Sequence, residues 1–187
     1  MTDEVQIHPY IEYLYSLASQ GQRGALADLR RGLSEPPATA PVMFSYVARW
    51  VPEDARYSWT EKVYYLIAGL FAYYQSGSGT ESKRRITIGN FGDHCRIAAK
   101  KGSQSASFEA RFSTLLKANP EDLPIVLRQM ISLLKSTDVP INWNQLFHDL
   151  KRWNSESRYI QRQWANSYWS SPKRDDKENQ PESTLEK

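Results

Sequence analysis

Val63, Leu66, Ile67, Leu70, Phe71 and Tyr74 fall at i, i+3, i+4, i+7, i+8 and i+11, the spacing of one face of an α-helix. Ser58-x-x-Glu61, just before this run, has the form of a capping box: the hydroxyl takes an orphan N–H and the carboxylate reaches back to the cap residue. Ala68 and Ala72 put small apolar residues on the other faces, and Gly69 allows close approach. The pattern predicts a central, largely buried helix. Gly77 and Gly79, in Ser76-Gly-Ser-Gly-Thr80, end it and open a loop.

The same period repeats on both sides. Ile11, Leu14 and Ala18 share a stripe, and Ala25, Leu26 and Leu29 make a short helix that stops at Gly32 before Pro36-Pro37. Pro41 suits the first turn of a helix carrying Phe44, Val47 and Val51, which Pro52 ends. Phe108, Phe112, Leu115 and Leu116 define another, closed by Asn119-Pro120. Asp122 and Pro124 start the next, whose apolar face is Leu127, Met130, Ile131 and Leu134. Trp143, Leu146, Phe147, Leu150 and Trp153 span one sector of a further helix, and Ile160, Trp164 and Tyr168 form the last stripe. Strand alternation is nowhere long enough to compete, and Arg85-Ile-Thr-Ile88 is the weakest helical segment. The expected fold is all-α, a compact bundle of about eight helices.

Composition bounds the architecture. The 187 residues are 40% hydrophobic and 24% charged, a globular balance that suits one domain. The helical domain is expected over residues 1–171, or as two lobes, 1–101 and 102–171. The charged tail 172–187 has almost no apolar residue to bury and is expected to be disordered. Cys95 is the single cysteine, which excludes an internal disulfide and a multi-cysteine metal centre and leans towards a reducing compartment. The longest apolar run, Val63–Tyr74, falls short of the ~18–20 residues that span a bilayer, and Met1-Thr2-Asp3-Glu4 is acidic where a secretory signal would be basic. A cytoplasmic protein with no membrane contact is the expectation.

Catalytic constellations are hard to find. His8, His94 and His148 are far apart and lack H-x-x-x-H spacing, whereas zinc sites usually show paired ligands. His94 and Cys95 are adjacent, so on a helix they point about 100° apart and cannot act as nucleophile and base; a buried structural thiol is expected. His148 falls on a polar helix face and is expected to be solvated. Gly77-Ser-Gly79 lacks the third glycine of a dinucleotide fingerprint. The pairs Glu53-Asp54 and Glu121-Asp122 sit at helix starts, where carboxylates cap. The chain is expected not to be an enzyme and to carry no cofactor or metal.

Charge changes the picture when it is located. The net charge is only +3, but from Lys83 to Lys117 there are eight basic residues against two acidic ones. Such a local excess attracts a polyanion, unless it is merely a solvated helical surface. Arg30-Arg31 end a helix, where cations complement the dipole. Arg111 edges an apolar stripe, Lys117 lies outside it and Arg128 interrupts an apolar helix. Arginines at such boundaries pack their stems while the guanidinium fork matches phosphate oxygens, so a groove lined by them would bind nucleic-acid backbone without reading sequence. Trp143, Trp153 and Trp164 lie on apolar stripes and read as core, while Trp169 and the Tyr64/Tyr73 flank are open to stacking.

Four segments occur in a telling order: Ala25-Leu-Ala-Asp-Leu-Arg-Arg-Gly32, Arg111-Phe-Ser-Thr-Leu-Leu-Lys-Ala118, Asp122-Leu-Pro-Ile-Val-Leu-Arg128 and Ile141-Asn-Trp-Asn-Gln-Leu-Phe-His-Asp-Leu150. With Ile86-Thr-Ile-Gly89 and Trp164-Ala-x-x-Tyr-Trp169, they resemble the CasB family, the small subunit of the type I-E CRISPR Cascade complex of antiviral defence. The resemblance implies a non-catalytic helical subunit, present in two copies stacked head to tail. It would line the path of the guide RNA–target DNA hybrid and help hold the displaced strand during R-loop formation. Its implied partners are the large subunit, the repeating guide-RNA backbone subunits and a second copy of itself. The basic positions matching the family pattern are Arg30, Arg31, Arg111, Lys117, Arg128 and Arg158. Arg56, Arg96 and the Lys100-Lys101 loop are added from the charge reading. The competing readings are a stand-alone single-strand DNA- or RNA-binding protein and a helical protein–protein adaptor.

Overall fold

The computed structural model describes residues 6–77, 85–102 and 105–170. Gly79, Lys83, Arg84 and the tail 172–187 lie outside the described residues. Within them the chain forms α1 (Pro9–Ser19), α2 (Arg23–Arg31), α3 (Phe44–Val47), α4 (Trp59–Gln75), α5 (Phe91–Lys101), α6 (Ser105–Lys117), α7 (Leu123–Ser136), α8 (Trp143–Lys151) and α9 (Tyr159–Trp169), joined in part by 3-10 turns. The described residues contain no strand.

The stripe from Val63 to Tyr74 makes α4 the axis. Val63, Ile67, Leu70 and Phe71 are fully buried, and Ala68 and Ala72 close the other faces. α1, α2, α3, α7 and α8 all pack on α4. Buried polar atoms tie this packing down: the Tyr10 hydroxyl donates to the Tyr64 carbonyl at 2.8 Å, the Tyr74 hydroxyl to Val139 at 2.8 Å and the Trp59 indole to Leu150 at 2.7 Å. Gly69 is the close approach expected, since a Cβ there would meet the Leu33 side chain at 2.6 Å.

α5 and α9 form a second pair, with α6 packed against α5 and α7. The three stripe tryptophans, Trp143, Trp153 and Trp164, are core residues. Cys95 is fully buried, and burial alone pushes its thiol well up.

Several local expectations are corrected. Residues 41–50 do not make one helix: 3-10 turns Pro41–Met43 and Ala48–Trp50 flank the single turn of α3, and Phe44 is 43% exposed instead of buried. Ser58 does cap α4, accepting from the Thr60 N–H at 3.1 Å, but the Glu61 carboxylate takes the N–H of Tyr57, not of Ser58. The reciprocal capping box is instead at α5, where Asn90 accepts from Asp93 N–H at 3.2 Å and Asp93 from Asn90 N–H at 3.0 Å. α5 is the helix the apolar pattern passes over, because its buried face is Gly92, His94, Cys95 and Ala98 behind Phe91. Lys100 and Lys101 are therefore in the last turn of a helix and not in a loop.

Candidate nucleic-acid interface

The expected basic residues separate into those held by a hydrogen bond or ion pair within the molecule and those that are not. Arg31 pairs with Asp28 within α2 at 3.1 Å and Arg56 with Glu53 at 3.6 Å, each three residues away along the chain. Arg96 is held more firmly: half-buried, it reaches Asp93 at 3.5 Å and donates to the Ser170 carbonyl at 3.2 Å, clamping α5 to the end of α9. Arg158 stands in the left-handed region, φ 49°, before α9 and donates to the Leu116 carbonyl at 2.5 Å. That carbonyl is among the last of α6, where a cation also complements the helix dipole.

Arg30, Lys100, Lys101, Arg111 and Lys117 are exposed and pair with no carboxylate among the described residues. Arg128 is exposed as well, so it leaves the apolar face of α7 instead of interrupting it. Its guanidinium lies 5.3 Å from the ring centre of Tyr73, a cation–π contact that positions the group without neutralising it.

One of these cations, Arg128, lines a cleft. A depression of about 600 Å³ opens between the turn 32–37, the α4 residues Tyr65, Leu66 and Tyr73, and the α7 residues Pro124, Ile125, Arg128, Gln129 and Ser132. Arg30 and Arg31 immediately precede the turn that forms one lip. A shallower depression between α6 and α7 is lined by Lys117 and shares Ile125 with the first. Arg158 reaches the carbonyl of the residue next to Lys117. None of these hydrogen bonds, ion pairs or ring contacts joins Arg56, Arg96, Lys100, Lys101 or Arg111 to this cleft. The cleft also holds the carboxylates of Glu35 and Glu121, so its charge is mixed.

Periodicity does not reveal the cleft itself, because its walls come from three separated stretches. The flanking aromatics divide: Tyr64 is buried in the core, whereas Tyr73 is half-buried beneath Arg128. Trp169 is 48% exposed, packs on Phe112 and donates to Glu109 at 3.2 Å. Two further arginines meet aromatic rings, Arg49 over Tyr13 at 4.7 Å and Arg85 over Tyr15 at 4.9 Å, and Arg85 also pairs with Glu12. His148 is not simply solvated. Its ring is half-buried 6.0 Å from that of His8, and burial together with neighbouring cations lowers the pKa of both. Among the described residues no three His, Cys, Asp or Glu side chains are grouped to hold a metal ion, and no helix is long and apolar enough to cross a membrane.

The sequence profile of the family described as CRISPR-associated protein Cse2 matches residues 25–169. A CRISPR-associated protein Cse2 of Thermus thermophilus is 30% identical over 169 residues, covering 86% of this chain and 88% of the relative. The crystal structure of CasB from M. ruber superposes with a TM-score of 0.72 at 32% identity, covering 88% of this chain and 94% of that one. A chain of a solved CRISPR RNA-guided surveillance complex superposes with a TM-score of 0.71 at 27% identity, covering 85% of this chain and 91% of that one.

Proposed function

The chain belongs to the CRISPR-associated Cse2 family, and from that membership we propose that it is the small subunit of a CRISPR RNA-guided surveillance complex, holding nucleic acid by its backbone. In this role it performs no catalysis. It works in the cytoplasm alongside the large subunit, the guide-RNA backbone subunits and a second copy of itself, and steadies the R-loop through the guide–target hybrid and the displaced strand. Exchanging a DNA duplex for an RNA–DNA hybrid is nearly balanced in energy, so modest contacts to phosphates tip it.

One observation carries the reading: Arg30, Lys100, Lys101, Arg111 and Lys117 are exposed with no carboxylate partner among the described residues, and Arg128 is positioned by a ring that leaves its charge intact. Arg96 differs in pairing with Asp93, whereas Arg158, exposed and bonded to a neutral carbonyl, also keeps its charge. The test is a variant carrying Arg30→Ala, Arg111→Ala, Lys117→Ala and Arg128→Ala. It should fold and co-purify with the complex, because all four side chains are exposed. Strand opening on a matched target should weaken. For the isolated chain on single strands, the slope of log affinity against log salt should become shallower by about 0.7 for each phosphate that is no longer neutralised. A variant that assembles normally and opens the duplex as well as the parent removes these residues from the binding site.

A further inference from the structure

We infer that the cleft between the turn 32–37, α4 and α7 receives unpaired nucleobases of a single strand whose phosphates lie along its rim. The inference deepens the backbone-binding reading and rests on it. The cleft, at about 600 Å³, falls within the usual size range of small-ligand sites, and its surface is mainly aliphatic and aromatic. Ile125 stands in its wall with 64% of its surface exposed, an apolar side chain that the fold itself does not bury. Tyr65 is only 4% exposed, so the ring available at the cleft is the half-buried Tyr73, and the exposed Arg128 is held against it, which pre-positions a planar cation at the same wall. Aromatic and guanidinium planes are the surfaces on which splayed bases stack, and they do so without reading sequence.

The cleft lining carries both signs, Glu35 and Glu121 together with Arg128. Glu35 and Glu121 line the cleft and would repel a phosphate placed inside it. The same carboxylates accept hydrogen bonds from exocyclic amines of bases. Two further unpaired cations stand beside it: Arg30 leads into one lip, and Lys117 lines the neighbouring depression across Ile125. An apolar cleft that holds two carboxylates and a guanidinium, with further cations beside it, fits a strand that turns its bases inward. It does not fit a duplex, whose bases are already stacked, or an acidic peptide, whose side chains would meet the two glutamates.

The test compares the full chain on two single-stranded oligonucleotides of equal length, one with bases including 2-aminopurine and one abasic. The chain should bind the base-bearing strand about tenfold more tightly, with quenching of the 2-aminopurine fluorescence. Gln129→Trp, which fills the cleft from an exposed position, and Ile125→Ala, which strips its wall, should each reduce the preference to less than about twofold. Binding of the abasic strand and its salt dependence should stay unchanged in both variants, since neither alters a cation. Equal affinity of the parent for the two strands, with normal salt dependence, overturns the base site and leaves backbone binding standing. Salt-independent or absent binding to both overturns backbone binding and the base site with it. A preference that survives both variants places base contacts elsewhere and overturns the proposal. So does a result in which the variants bind strands normally but no longer assemble with the other subunits, which would make the cleft a protein-docking site.

Discussion

At Gly92 a methyl group would lie 2.1 Å from the backbone oxygen of Trp164 and 2.8 Å from its carbonyl carbon and Cα. These are backbone atoms of a packed helix and cannot turn aside. Gly92→Ala is therefore expected to cost about 3 kcal/mol, the upper end of overpacking, measured by urea unfolding. At Gly69 the obstruction is mainly the partly buried Leu33 side chain, which can rotate, and alanine also favours the helix, so Gly69→Ala should cost less. His94 shows the electrostatic side of the same interior. Burial lowers its pKa to about 4, against the opposing pull of Asp93 and of a hydrogen bond to Gly89, and Nε2 accepts the Asn142 N–H at 3.4 Å. The folded state holds the neutral ring, so unfolded chains take up the proton first as pH falls. The resulting stability loss begins near pH 6.5, is complete below about pH 4 and amounts to about 3 kcal/mol. Replacing the residue by His94→Gln should flatten the stability profile across that window, read by denaturant midpoints at several pH values.

At the level of elements, helices meet through a few buried polar anchors set in apolar faces. Asp149 on α8 accepts from the Trp164 indole on α9 at 2.6 Å and from Gln145 at 2.8 Å, and it is 3% exposed. Burial raises its pKa while these two bonds pull it down, so the carboxylate remains a costly group that its donors compensate. Asp149→Ala would strand the indole N–H in the core and should destabilise by about 2–3 kcal/mol. Asp149→Asn keeps an acceptor for Trp164 and should cost less. A thermal melt of both variants decides whether this anchor docks α9. Such docking matters for function, because α9 begins beside the Arg158 contact to α6 and ends beside the Arg96 clamp.

For the whole molecule, the central question is whether 1–101 and 102–171 act as separate lobes. The buried side chains form one continuous core, α4 is in contact with both α7 and α8, and α5 is paired with α9. Unfolding should accordingly be a single cooperative transition, with calorimetric and van't Hoff enthalpies in agreement. Two resolved transitions would establish two lobes. A shared core also suits the proposed task, since cations on α2, α6 and α7 keep a fixed spacing only if the helices beneath them move as one body.

The sequence by itself determined the helical class, the stripes of seven of the helices and the three core tryptophans, because side chains three and four residues apart share a helix face whatever lies beyond it. It also marked Arg30 at a helix end and Lys117 on an outer helix face, while it read Arg128 as an interruption of an apolar helix whose apolar face that residue in fact leaves. α5 escaped because its buried face is built from glycine, histidine, cysteine and alanine, which carry little apolar periodicity. Only the tertiary structure decided which cations find partners in distant parts of the chain. Arg96 and Arg158 look no different in sequence from Arg30, yet each finds a carbonyl brought close by a distant helix, at Ser170 and at Leu116. The cleft was equally out of reach of sequence, for its walls are α4, α7 and the turn 32–37, and no local pattern records how separated helices set their spacing. Side-chain periodicity is a property of neighbours along the chain, whereas the fate of a charge depends on neighbours in space.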